Sequence, residues 1–133
     1  MSGKAVTWAA KQTAGGPTAK CVLLIIADAY NERWGRAWPS RDTIAARAEL
    51  SVKSVTRALD RLEADGLLDR ELWVLESGVK LGNRYYLPAY RPDVERAAKG
   101  NRPVMVAKHF DHHGRMKIER ASDGEVLYEG PGG

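Results

Sequence analysis

Lys53, Ser54, Arg57 and Arg61 recur at three- and four-residue spacing along one stretch of the chain. A row of ammonium, hydroxyl and guanidinium groups on one side of a helix suits a polyanion, because such groups reach phosphate oxygens and the acceptor edge of guanine. Val55, Ala58, Leu59 and Leu62 share a second face at helical spacing, so the basic row points away from the buried seam. Ser51 stands ahead of the run as a helix cap, with Leu50 and Val55 placed to form a hydrophobic staple around it. Asp65-Gly66-Leu67 ends the run: Gly66 can take the left-handed conformation and Leu67 can fold back onto Leu62. The positive end of the helix dipole adds to the attraction for phosphate.

An arginine row can also be mere solvated surface, with Arg57 paired to Asp60 or Arg61 to Asp65. Charge alone does not choose between the two, since the net charge is only +4. Residues 41–87 hold eight basic and eight acidic groups, so the case rests on where the charges point. Asp60, Glu63, Asp65, Asp69 and Glu71 gather past the far end of the helix, which leaves its near end positive. The cap, staple and stop specify a scaffold on which such a face is used.

That scaffold is legible on both sides. The chain has 133 residues, 44% hydrophobic and 29% charged, the balance of a globular protein of one ordinary domain with a possible appendage. Cys21 is the single cysteine, which excludes a disulfide within the chain and a cysteine-based zinc cage. A reducing cytoplasm is therefore the expected compartment. The longest apolar run, Cys21 to Ala27, is far short of the ~20 residues of a membrane span. Ala27-Asp28-Ala29 mimics a signal-peptidase site, but Asp28 within it and Pro17 ahead of it argue against secretion.

Ala5 to Gln12 reads as a short helix around Trp8, and Thr13 to Gly16 as a joint. Pro17 opens a helix that runs to about Asn31 and is apolar nearly all round, as a central helix must be. Asn31 to Pro39 reads as a loop. Ser40 caps a short helix through Ile44, Ala45 and Ala48, and Glu49-Leu50-Ser51 is the break before the basic helix. Leu67 to Leu75 then reads as a strand with Leu68, Leu72 and Val74 on one side. Asn83 to Leu87 is its returning partner, stopped by Pro88. Asp93 to Lys99 could supply a helical turn or two. Val104 to Phe110, Arg115 to Arg120 and Glu125 to Glu129 read as a small meander.

Helix, helix, short turn, helix, hairpin is the order of a winged helix-turn-helix. Lys20 to Leu68 resembles the winged helix-turn-helix domains of bacterial, phage and plasmid regulators and replication proteins. The likeness is carried by Val22 to Asp28, Ala37-Trp38-Pro39-Ser40, Thr43-Ile44-Ala45, Leu50 to Leu59 and Leu62 to Leu68. Asn83-Arg84-Tyr85 resembles the second wing strand of that family, and Val6-Thr7-Trp8-Ala9 a short helix often found upstream. The resemblance is specific for fold and not for role, since repressors, replication initiators and partition proteins share it. The C-terminal meander resembles no named module.

The remaining chemistry is thin. His109, Asp111, His112 and His113 have the residue types of a metal site, but adjacent extended histidines point to opposite sides; a polar turn is the simpler reading. Cys21 lies in the most apolar stretch, as a core thiol does. No phosphate loop or nucleophile–base pair stands out, so neither catalysis nor a cofactor is expected. Trp8, Trp34, Trp38 and Trp73 are expected around the central helix and the hairpin base; only Tyr85 or Tyr86 beside Arg84 suits a single-strand stacking platform.

The expectation is an α+β protein. Residues 1–16 form an arm with a short helix, residues 17–88 a winged helix-turn-helix of three helices and a hairpin, and residues 89–133 an extension with a small β-meander. Its expected partner is double-stranded DNA, with helix 52–65 in the major groove. Lys53, Ser54 and Arg57 are expected at base edges; Ser40, Arg41, Ser51, Thr56 and Arg61 at phosphates; Lys80 and Arg84 on the wing. A single such domain covers few base pairs, so a homodimeric regulator is expected, in contact through residues 104–129 or the Trp8 segment. Repression by occlusion follows, as no segment resembles an effector pocket. Two other roles share these features: a plasmid or phage replication or maintenance protein on repeated sites, whose C-terminal strands dock a partner, and a protein-interaction module that binds no DNA.

Overall fold

Ser2, Pro17, Ser40 and Ser51 set where the four helices begin. The computed structural model describes residues 2–94, 103–110 and 114–131. Helix α1 (Gly3–Ala10) starts ahead of its expected position because Ser2 Oγ accepts the Ala5 N–H at 3.0 Å. Helix α2 (Pro17–Ala29) opens on its proline, whose missing N–H has no helical partner to lose. Helix α3 (Arg41–Ala48) is capped by Ser40 through the Thr43 N–H at 3.1 Å. Helix α4 (Val52–Ala64) is capped by Ser51 through the Ser54 N–H, also at 3.1 Å. Ser51→Ala is expected to lower the unfolding free energy by about 1 kcal/mol in a urea titration, the usual cost of losing such a cap.

The stops are as local as the starts. Gly66 takes φ +75°, and the Gly66 and Leu67 N–H groups bond back to Glu63 and Leu62. That is the expected glycine stop with its backward bonds. Between α3 and α4, Glu49 fills the left-handed position with φ 56°, and Leu50 N–H returns to Ala45 O at 3.0 Å. The turn between the two short helices is therefore made without glycine.

Helix α2 is the centre of the first core. Val22, Leu23, Ile26 and Ala27 are fully buried, meeting Ala5 and Ala9 of α1, Ile44 of α3 and Val55, Leu59 and Leu62 of α4. Arg47 clips α3 to α2 through Asp28 at 2.8 Å. Trp8 lies on Tyr90 with ring centroids 5.6 Å apart, and Tyr90 meets the edge of Tyr30 at the same distance. The bulky residue of the arm thus packs on its own chain. The Tyr30 hydroxyl is buried with no hydrogen-bond partner among the described residues, and burial pushes its pKa up to about 12. Tyr30→Phe is expected to raise stability by about 1 kcal/mol in the same titration, because it deletes an unsatisfied buried group and keeps the ring.

The strands depart from expectation in three ways. Strand β1 (Asp69–Leu75) and strand β2 (Lys80–Tyr86) form the hairpin, in antiparallel register from Asp69↔Tyr86 to Val74↔Lys80. First, the inner face of β1 is inverted. Glu71 and Trp73 are 1% exposed, whereas Leu72 and Val74, expected inside, are only half-buried. The reason is charge pairing: Glu71 Oε1 accepts from Trp73 Nε1 at 2.7 Å and from Tyr86 Oη at 2.9 Å, so the carboxylate is buried with its donors. Second, the 31–39 loop adds a β-bridge to the hairpin, since Ala37 and Tyr85 exchange both backbone bonds, at 2.9 and 2.7 Å.

Third, the C-terminal strands do not stand apart. Strand β3 (Pro103–Phe110) pairs in parallel with β1, and strand β4 (Arg115–Arg120) and strand β5 (Val126–Pro131) follow in antiparallel order. One sheet results, ordered β2-β1-β3-β4-β5. Its last strand comes back to the 34–38 segment: Arg36 Nη1 donates to Leu127 O at 2.7 Å, and the Trp34 and Trp38 rings lie 5.9 and 5.6 Å from Tyr128. This encloses a second core of Trp73, Val106, Ile118 and Leu127. Most of Asp93 to Lys99, and Asp111, His112 and His113, fall outside the described residues, as does the side chain of His109. No helix among the described residues is long and apolar enough to cross a membrane.

Candidate nucleic-acid interface

Lys53 and Arg57 stand exposed on the outer face of α4, and neither has an ion-pair partner among the described residues. The acidic neighbours are taken elsewhere. Arg70, its side chain only 7% exposed, holds Asp60 at 2.9 Å and Glu63 at 3.1 Å. Burial works to lower the pKa of that guanidinium, but its bonds to Glu63 and Asp60 outweigh burial and raise it. Asp60 is therefore turned from Arg57 toward β1. Arg61 does pair with Asp65, at 2.9 Å and four residues apart, as a solvated helix face would.

Six of the expected contact residues fall into two groups. Ser54, Arg57 and Arg61 line a groove of about 320 Å³ with Gly15 to Ala19 at the start of α2. Gly15 takes φ +84°, a left-handed conformation that favours glycine, and lies against the movable guanidinium end of Arg61, 2.9 Å from where a Cβ would stand. The groove thus combines arginines with the N-terminal turn of a helix, a pairing suited to a phosphate. Ser54 is half-buried and its hydroxyl accepts from Ser51 Oγ at 3.0 Å, so its oxygen is partly committed to the cap.

Ser40 and Arg41 meet Lys80, Gly82, Asn83 and Tyr85 of the wing across a groove of about 480 Å³. Burial raises the Tyr85 phenol pKa against the opposing pull of Asn83, Arg41 and Arg70. Ser40 and Arg41 are exposed at the first turn of α3, and Lys80 is exposed at the start of β2. Ser51 is exposed at the α4 cap, and Thr56 is half-buried on α4 apart from both grooves.

Arg84 does not belong to this surface. It is 8% exposed and lies over the Trp73 ring, 4.3 Å from Cζ to centroid, inside the sheet. Strand alternation explains the correction: Arg84 is the Cα partner of Glu71 in the hairpin and shares its inward face. Sequence reasoning missed Arg70, whose role depends on a fold-back from β1 onto α4, and Arg36, which read as part of a loop.

Residues 16–68 match the family model described as a helix-turn-helix domain. This segment is a helix-turn-helix domain. Comparison with curated proteins and with solved structures gave no match in either case. The helix-turn-helix domain comprises α2, α3 and α4, and the β1–β2 hairpin follows it directly in the wing position of an α+β fold. A domain of this kind points to DNA as its partner.

Proposed function

We propose that the chain binds double-stranded DNA sequence-specifically, with α4 in the major groove. The observation that carries this reading is that exposed Lys53 and Arg57 have no ion-pair partner among the described residues while Arg70 draws Asp60 and Glu63 away. Lys53 and Arg57 read base edges, with the Ser54 hydroxyl beside them. Ser51, Thr56 and Arg61 on α4, and Ser40, Arg41 and Lys80 across the wing groove, take phosphates on either side.

The protein acts as a homodimeric regulator that represses by covering its site, and it has no catalytic role. Support for a dimer comes from the small footprint of one domain. Ile118 and Leu127 are spent on the chain's own second core, so pairing through residues 104–129 does not use those side chains.

The test is selection from a random duplex pool, followed by anisotropy titration of the retained sequences over a range of salt. The expected result is a shared motif bound far more tightly than the unselected pool, with affinity falling as salt rises, because phosphate contacts release counterions. Two copies of the motif about one helical turn apart support the homodimer. Retention of no sequence over the pool would contradict specific readout. Many repeated copies of the motif clustered at one locus would favour a replication or maintenance role over repression.

A further inference from the structure

We propose that the cavity between the wing and the C-terminal strands binds a small oxyanion, a phosphate or carboxylate group, between Arg36 and Arg84. The cavity measures about 50 Å³ and is lined by both arginines together with Trp38, Trp73 and Tyr128 among others. A cavity of that size admits a few water molecules or one compact oxyanion.

Both guanidinium groups are buried, each residue being 8% exposed, and both lie over the Trp73 ring, at 5.2 Å for Arg36 and 4.3 Å for Arg84. Arg36 spends Nη1 on Leu127 O, yet its Nε is buried with no partner among the described residues. Arg84 makes a long bond to Leu81 O at 3.3 Å. A buried N–H without an acceptor costs free energy, and a buried cation costs more unless an anion faces it. Glu71 acts on Arg84 from beside the cavity, and among the described residues that line it two are cationic and none is acidic. Burial first, and then repulsion from Arg36, bring the Arg84 pKa down to about 10. An oxyanion in the cavity supplies acceptors in the planar arrangement that guanidinium groups match and offsets the surplus charge. Trp38 is 37% exposed, so the anion enters past its ring.

This site does not depend on the DNA reading, since none of these residues lies on α4. It joins the loop after α2, the hairpin and β5, so its occupant ties the wing to the C-terminal strands.

The test follows the tryptophan indole N–H signals of the full chain by nuclear magnetic resonance. Sodium phosphate and sodium acetate are titrated separately, with ionic strength held constant by sodium chloride. The expected result is a saturable shift of the Trp73 and Trp38 signals with at least one anion, while Trp8 stays in place. The anion that saturates identifies the phosphate or carboxylate class. Arg84→Gln is expected to weaken that binding at least tenfold, whereas Lys53→Ala leaves it unchanged. Should Arg84→Gln fail to fold, the position of the shifts in the unaltered chain decides the matter. No shift beyond the chloride control, or shifts spread equally to Trp8, would overturn the proposal.

Discussion

Replacing Lys53 and Arg57 together by alanine is expected to weaken binding to a selected duplex by a hundredfold or more. A long basic side chain on a base edge contributes about 1–3 kcal/mol of discrimination, and two such losses on separate base pairs add. The fold should be indifferent to the change, because both side chains are exposed and neither joins an ion pair among the described residues. Exposed substitutions of that kind stay within about 0.5 kcal/mol in stability. Anisotropy titration beside a urea unfolding curve separates the two effects. Arg61→Ala makes an informative contrast: that side chain is already held by Asp65 and rests against Gly15. Its loss should weaken selected and unselected duplexes alike, and less steeply. If the double variant kept its preference for the selected sequence, α4 would not be the reading element.

The second large effect belongs to Arg70. Arg70→Met is expected to lower the unfolding free energy by about 2–3 kcal/mol. Removing one partner of a buried charge pair costs about 3–5 kcal/mol, and the exposure of Asp60, at 62%, reduces that here because water can take over its solvation. Methionine keeps the apolar stem, so the loss reports mainly the guanidinium and its bonds to Asp60 and Glu63. A second readout follows from the geometry. Asp60, released from Arg70, becomes free to pair with Arg57 three residues earlier on α4. DNA affinity should then fall although no DNA-facing residue has changed, and Asp60→Asn in the Arg70→Met background should restore part of it. An unfolding curve that matches the unaltered chain would mean that Arg70 is not a structural tie. Unchanged affinity would mean that it does not keep Arg57 clear.

What could be read in the sequence was what depends on neighbours along the chain. Ser40 and Ser51 as caps, the Leu50–Val55 staple and the Gly66 stop are interactions across three to five residues, and the chain carries their signals directly. Helix α4 was accordingly legible almost to the residue, and with it the outward placing of Lys53 and Arg57. What was missed depends on contacts across long separations. Alternation on β1 suggested Leu72 and Val74 inside, because apolar residues are the usual occupants of a core. A buried carboxylate held by Trp73 and Tyr86 reverses that choice, and nothing local announces it. The same inversion takes Arg84 from the wing surface to the interior. The parallel pairing of β1 with β3 joins residues some thirty positions apart, from Leu72↔Pro103 to Leu75↔Val106, and its register leaves no local trace. Arg36 and Ala37 read as loop because a single β-bridge has no periodicity to detect.

Whether α4 reads DNA from the major groove is decided by methylation interference at guanine N7 on a selected duplex. The comparison is between the unaltered chain and Arg57→Ala. N7 lies in the major groove and accepts from arginine, so a methyl group there blocks that contact. Interference is expected at one or more guanines for the unaltered chain, with loss of the effect at one of them when Arg57 is alanine. Interference confined to adenine N3 in the minor groove, or a guanine pattern identical in both proteins, would contradict major-groove reading by α4.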